Sequence, residues 1–318
     1  MHSGGDTRLV NTKTHITLLA SVGILALAAA TGCGGGGGGG AISADGSSTV
    51  GPFTTKAAED FRAENPDVQV TVGISGTGGG FERFCAGETD ISDASRAIDE
   101  EEAASCEGNG IEYVELQVAT DALTNVVNIE NDWATCLTVE QLNTIWKPGS
   151  TVTNWNQIDP SFPDVELKLY GAGTDSGTFD YFTDAINGEE GASRSDYSAT
   201  EDDNVTVQGV AGDKGALGYF GFSYFEENQD KLKALEVDDG QGCVAPSATT
   251  AQDGSYQPLS RPLFMYVKTS SLADSPSLGD FVRYTLENEQ TIAQEAKFVP
   301  LSQEQIDEQL QKLEGATA

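Results

Sequence analysis

Residues 165–186 read VELKLYGAGTDSGTFDYFTDAI. Val165–Tyr170 is a β-rich run, Gly171–Thr178 is a turn of Gly, Ser and Thr, and Thr178–Ile186 carries Phe179, Phe182 and Ile186 at the helical period. Asn187-Gly188 stops that helix. A strand that turns through Ser and Gly directly into a helix is the building unit of an α/β domain. The start of a helix leaves backbone N–H groups unsatisfied and carries about half a positive charge. Glycine lets a ligand approach those groups, and hydroxyls add donors. Such a turn is either an ordinary N-cap or one wall of an anion site.

The same unit recurs twice toward the N-terminus. Asp45-Gly46-Ser47-Ser48-Thr49-Val50-Gly51-Pro52 opens a helix that ends before Pro66. The strand Val68–Ile74 is followed by Ser75-Gly76-Thr77-Gly78-Gly79-Gly80, with Phe81–Cys85 opening a short helix. Three such turns brought together form an anion site that needs almost no cationic side chain. None matches a Walker A loop or G-x-S-x-G. Elsewhere Ile111–Val118 and Ala122–Ile129 are β-rich, and Thr138–Trp146 is a helix with Thr138 as N-cap and Gln141 three residues on. Val205–Gln208 reads as a short strand, Gly218–Phe225 as β-like, and Arg261–Lys268 as a strand. Leu278–Ala296 and Ser302–Leu313 are amphipathic helices.

Composition narrows the function. The chain has 318 residues, 17 Lys+Arg against 50 Asp+Glu, a formal charge of −33 and 38% hydrophobic residues. It is too apolar for a disordered acidic chain, and roughly two domains long. No basic patch for phosphate-backbone neutralisation survives that charge, so nucleic acid is excluded as a partner. The two histidines, His2 and His15, fall in a basic and apolar leader that carries Arg8, Lys13 and the run Ile16–Ala30. That leader reads as a signal peptide over residues 1–32. Without it no histidine remains for a catalytic triad, a Cys-His dyad or a His-ligated metal. No catalytic residue, metal site or cofactor is expected.

Cys33 follows Ala30-Thr31-Gly32 in the arrangement of a lipobox and is the expected lipid attachment point. Gly34–Gly40 gives a flexible tether, so residues 33–42 link membrane and domain. Loss of Asp6, Arg8 and Lys13 with the leader takes the charge from −33 to −34. So acidic an exterior suits concentrated salt, where self-repulsion is screened. Cys85, Cys106, Cys136 and Cys243 remain, an even number that predicts two disulfides with three possible connectivities. No C-x-x-C spacing points to zinc.

The stretches DGSSTV (45–50), SGTGGGF (75–81), DASRAI (93–98), LTVEQLNTIWKPGS (137–150), GTDSGTFDYF (173–182), VQGVAGDKGALGYFG (207–221) and RPLFMYVK (261–268) together resemble the phosphate-binding protein of the ABC phosphate transporter. The resemblance runs from about Ala44 to about Gln303. It implies an α/β, two-lobed type II periplasmic-binding-protein fold with two hinge crossings and a ligand cleft between the lobes. The crossings are placed near Leu116–Ala122 and Leu259–Leu263. Lobe one is then 43–118 plus 263–318, and lobe two 119–262. That layout favours Cys85–Cys106 and Cys136–Cys243, one bridge per lobe.

The resemblance also carries phosphate contacts onto Thr49 and Val50, onto Thr77 with Gly78, and onto Ser176, Gly177 and Thr178. In the loop with Ser95, Arg96 stands where many members have Asp. Ala172 stands where they have Arg. Arg96 is therefore expected to make a bidentate contact to the oxyanion, against the alternative of a surface salt bridge with Asp93, Asp99 or Glu100–Glu102. Asp175, or else Asp45, is expected to accept the phosphate proton, which sulfate lacks. The implied function is binding of inorganic phosphate outside the cell and its delivery to ABC permease subunits, by a non-enzymatic, monomeric lipoprotein held to the membrane. Binding of another oxyanion, or phosphate sensing without a permease, is the alternative.

Overall fold

A computed structural model describes residues 40–174 and 176–317. The leader, Cys33, the tether to residue 39 and Asp175 lie outside the described residues. In chain order come β1 (Ala41–Gly46), α1 (Gly51–Glu64), β2 (Gln69–Val72), α2 (Thr77–Cys85), β3 (Ile91–Ala94), α3 (Glu100–Gly108) and β4 (Tyr113–Asn128). Then follow β5 (Cys136–Thr138), α4 (Val139–Trp146), β6 (Lys168–Ala172), α5 (Gly177–Asn187), β7 (Ser198–Thr200), α6 (Asp203–Ala211), β8 (Ala216–Gly221) and α7 (Phe222–Glu226). Short strands β9 (Leu232–Ala234), β10 (Glu236–Asp238) and β11 (Cys243–Val244) and helix α8 (Ala248–Gln252) precede β12 (Ser260–Lys268). The chain closes with α9 (Thr269–Asp274), α10 (Pro276–Glu287), α11 (Glu289–Glu295) and α12 (Gln303–Thr317).

The main sheet runs β2-β1-β3-β12-β4-β8-β6-β7, with β9 beside β4. Its two ends are parallel, β1 pairing with β2 and β3, and β6 with β7 and β8. The antiparallel pair β12·β4 joins them. β4 leaves β12 at Ala122 and takes β8 from Leu123 onward. The two β-rich runs read from sequence are thus one strand, with a register shift at Val118 that kinks the ladder without ending it. Pro262 has no N–H for its partner Thr120, whose backbone instead exchanges bonds of 3.0 and 2.9 Å with Val299.

Two large cores sit on these halves. Phe53, Phe61, Ile91, Leu116, Met265 and Phe281 belong to one, with Phe61 edge-on to Phe281 at 5.5 Å. Trp146, Trp155, Phe182, Tyr219 and Leu259 belong to the other, where Phe182 and Tyr219 stack at 3.8 Å. Cys85–Cys106 and Cys136–Cys243 are bridged, the second closing the small sheet β11-β10-β5.

The expected cap of α4 forms as a box: Gln141 N donates to Thr138 Oγ1 at 3.1 Å, and Thr138 N to Gln141 Oε1 at 2.9 Å. Val205–Gln208, read as a strand, lies instead inside α6. Asp202 caps that helix through Asn204 N, and Val207 and Val210 share its buried face. Gly218 of β8 makes room for it, because a Cβ there would stand 2.8 Å from Val210 Cγ2. The β-like run 218–225 turns helical at Phe222, and the amphipathic run 278–296 breaks between α10 and α11 at Asn288.

Candidate functional site

Turn one joins β1 to α1. Gly46 holds φ +141°, and a Cβ there would lie 2.1 Å from the Asp93 carbonyl oxygen, so glycine is required. Ser47 N donates to that carbonyl at 2.9 Å. The Ser47 hydroxyl accepts from Thr49 N at 3.1 Å and from Val50 N at 3.3 Å, which fixes the loop and occupies both N–H groups. Val50 is buried, whereas the Thr49 hydroxyl reaches the cleft.

Turn two joins β2 to α2. Gly76 takes φ +81°, and no side chain caps α2, so the first-turn N–H groups at Thr77, Gly78 and Gly79 are left for a ligand. Thr77 Oγ1 lies 3.0 Å from Ser95 Oγ and accepts from Ser95 N at 3.2 Å, which ties turn two to the loop after β3. Across the cleft, α5 opens with Ser176, whose hydroxyl accepts from Thr178 N at 3.2 Å. A Cβ on Gly177 would lie 2.8 Å from Thr49 Oγ1. The first turn and the start of α5 therefore meet.

Between them is a cleft of about 780 Å³, lined by Ser47–Thr49, Ser75–Gly79, Ser95–Ala97, Gly177, and residues of α5 and β12. Two cationic side chains, Arg96 and Arg261, line it among the described residues. Asp180, Asp184 and Glu190 stand on the α5 side. Burial raises the Asp180 carboxyl, Glu190 adds to the rise, and Arg261 opposes it.

Comparison with known proteins fits this arrangement. The PBP superfamily domain matches residues 31–289. Protein SphX of Synechocystis sp. is 50% identical over 265 residues, 83% of this chain and 79% of its own length. Phosphate-binding protein PstS of Staphylococcus saprophyticus is 42% identical over 274 residues, 86% of this chain and 84% of its own. The chain belongs to the Pst-type phosphate-binding protein family. A solved structure described as a possible phosphate binding protein from Planctomyces limnophilus aligns with a TM-score of 0.84 and 47% identity, covering 88% of this chain and 99% of that one. The α/β architecture is accordingly the two-lobed fold of this family.

In this Pst-type chain the candidate residues divide by position. Thr49, Thr77, Gly78, Ser95, Arg96 and Gly177 line the cleft. Ser176 and Thr178 flank Gly177 at the head of α5. Val50 sits behind the wall, and Asp175 lies outside the described residues. Arg96 is 46% exposed and forks onto Glu102 through two bonds of 2.8 Å, with Nη1 also donating to Ala97 O at 3.1 Å. Asp45 is buried and already accepts from Ser75 N at 3.0 Å and from Arg83 Nη1.

Arg261 and Tyr181 of the cleft wall were not singled out from sequence. Arg261 Nη2 donates to Thr49 Oγ1 at 3.2 Å, and its Nε to Asp121 Oδ2 at 3.2 Å. Its guanidinium lies 3.7 Å above the Tyr181 ring centre. The stretch RPLFMYVK announces a strand; nothing local announces the cleft it faces. Beneath turn one, Asp93 is buried with no hydrogen-bond partner for either carboxylate oxygen among the described residues. Burial pushes its carboxyl up to about 7, against a smaller opposing pull from the Thr54 hydroxyl.

Proposed function

We propose that this chain binds inorganic phosphate outside the cell and delivers it to the permease subunits of an ABC importer. The observation that carries this is the meeting of Thr49 with Gly177, which brings three glycine- and hydroxyl-rich helix starts around one cleft in a strongly acidic chain. Helix starts supply neutral donors, so an anion is held without a basic patch. Relatives named as phosphate-binding proteins support phosphate as that anion.

The ligand set of this reading is Thr49, Val50, Thr77, Gly78, Ser95, Arg96, Asp175, Ser176, Gly177 and Thr178. Val50 N–H contributes once Ser47 Oγ releases it. For the phosphate proton, Asp175 remains the preferred acceptor, because Asp45 is already engaged by Arg83 and Ser75.

The lobes divide at 43–118 plus 263–318 and 119–262, a division supported by the partner change of β4 and the two separate large cores. A leader over 1–32 directs export and is then removed, and a lipid on Cys33 with a tether over 33–42 holds the protein at the outer face of the membrane, as a monomer without enzymatic activity.

Calorimetric titration of the mature chain with phosphate, sulfate and arsenate in high salt tests the function. Phosphate should bind, arsenate should compete, and sulfate should be at least about tenfold weaker, since it leaves the acceptor carboxylate unpaired. Sulfate binding as tightly as phosphate, or no phosphate binding, would overturn it.

A further inference from the structure

We propose that Arg261, held in place by Asp121 and Tyr181, carries the positive charge that receives the anion. This rests on phosphate being the ligand of the cleft.

The turn Gly171–Thr178 holds no cation, and Ala172 within it is buried. Any positive charge at the anion must therefore come from Arg96 or Arg261 among the described lining residues. The two differ in what their donors already do. A guanidinium has five donors in a fixed fork. Arg96 spends the two-pronged face of that fork on both oxygens of Glu102, at 2.8 Å each. Arg261 meets a single carboxylate oxygen, Asp121 Oδ2, at 3.2 Å from Nε and from Nη2. No hydrogen bond leaves its Nη1 among the described residues, so part of its fork is open.

The setting of Arg261 is built. Arg261 and Asp121 are directly opposite in the β12·β4 register, so their side chains share one face of the sheet at the strand crossing. The Tyr181 ring fixes the plane of the guanidinium at 3.7 Å, and the Tyr181 hydroxyl is itself anchored to Pro258 O at 2.8 Å. Nη2 reaches Thr49 Oγ1 at 3.2 Å. That bond uses the oxygen of Thr49 as acceptor and leaves its hydroxyl proton to point at a ligand. The side chain is 20% exposed, less than half the value for Arg96, so its charge is less screened. Asp121 acts as a positioning residue: it orients the guanidinium and offsets its charge without touching the anion.

Phosphate titration of the mature chain decides the matter, with thermal melting as the check on folding. Arg261→Gln should weaken phosphate by more than about tenfold, the scale of a lost charge-assisted hydrogen bond, and by more than Arg96→Gln does. A dissociation constant for Arg261→Gln equal to that of the parent would overturn the inference. If that variant does not fold, phenylglyoxal labelling of the unaltered chain decides instead, read by peptide mass. Saturating phosphate should protect Arg261 from labelling; equal labelling with and without phosphate would overturn the inference. Failure of the unaltered chain to bind phosphate at all removes the function proposed above, and this inference with it. Silent substitution at Arg261 in a chain that binds phosphate removes the inference alone.

Discussion

Burial, opposed by a smaller pull from the Thr54 hydroxyl, raises the Asp93 carboxyl from an ordinary 3.8 to about 7. The folded chain then binds this proton more tightly than the unfolded chain does. Stability from this group is complete at pH below 3.8 and declines as pH climbs toward 7. Its full span is up to about 4 kcal/mol, at 1.36 kcal/mol for each unit. Glu289 acts in the same direction: burial pushes it up to about 8, against a bond from Leu301 N. Asp93→Asn should therefore flatten, though not abolish, the fall in stability between pH 5 and pH 8. Urea melts at the two pH values check this, and an unaltered difference would mean that Asp93 ionises freely in the folded chain. At this scale, what sequence reveals depends on distance along the chain. Thr138 and Gln141 are three residues apart, so their capping box can be read directly. Arg261 and Asp121 are 140 positions apart and meet only because β4 and β12 pair in one register.

Among elements, the strand-to-helix turns were legible because each writes its chemistry locally in Gly, Ser and Thr. Helix α6 was not. Val205, Thr206 and Val207 are β-branched and suggest a strand, while the Asp202 cap and the buried face over Gly218 decide for a helix. Burial on a neighbouring strand outweighed local preference there. The head of α5 offers a test that separates element from site. Gly177 is the first residue of that helix, where alanine fits the helical backbone at least as well as glycine. A Cβ there would nevertheless stand 2.8 Å from Thr49 Oγ1, inside normal contact distance. Gly177→Ala should hold or raise the melting temperature while weakening phosphate by about tenfold or more, because the two walls no longer meet. Melting and calorimetry on the same sample read both effects. Unchanged affinity would place the ligand away from the Thr49–Gly177 contact.

Over the whole molecule, a formal charge of −33 surrounds a cleft meant for an anion. Arg96 and Arg261 are each paired with a carboxylate, Glu102 and Asp121, so their attraction fades beyond contact range, whereas the field of the acidic surface extends a Debye length, about 10 Å at 0.1 M salt and 3 Å at 1 M. A dianion approaching from solution thus meets repulsion first and reaches its donors only inside that distance. Added salt screens that repulsion far more than it weakens hydrogen bonds made at contact inside the cleft. The association rate of phosphate should accordingly rise with sodium chloride between 0.1 and 1 M, opposite to the fall expected of a ligand steered by complementary charge. Stopped-flow fluorescence would follow it, since Tyr181 stacks on the Arg261 guanidinium at the cleft. A rate that falls with salt would mean that the cleft mouth is electropositive despite Asp180, Asp184 and Glu190, and that the long-range field of the chain does not govern approach.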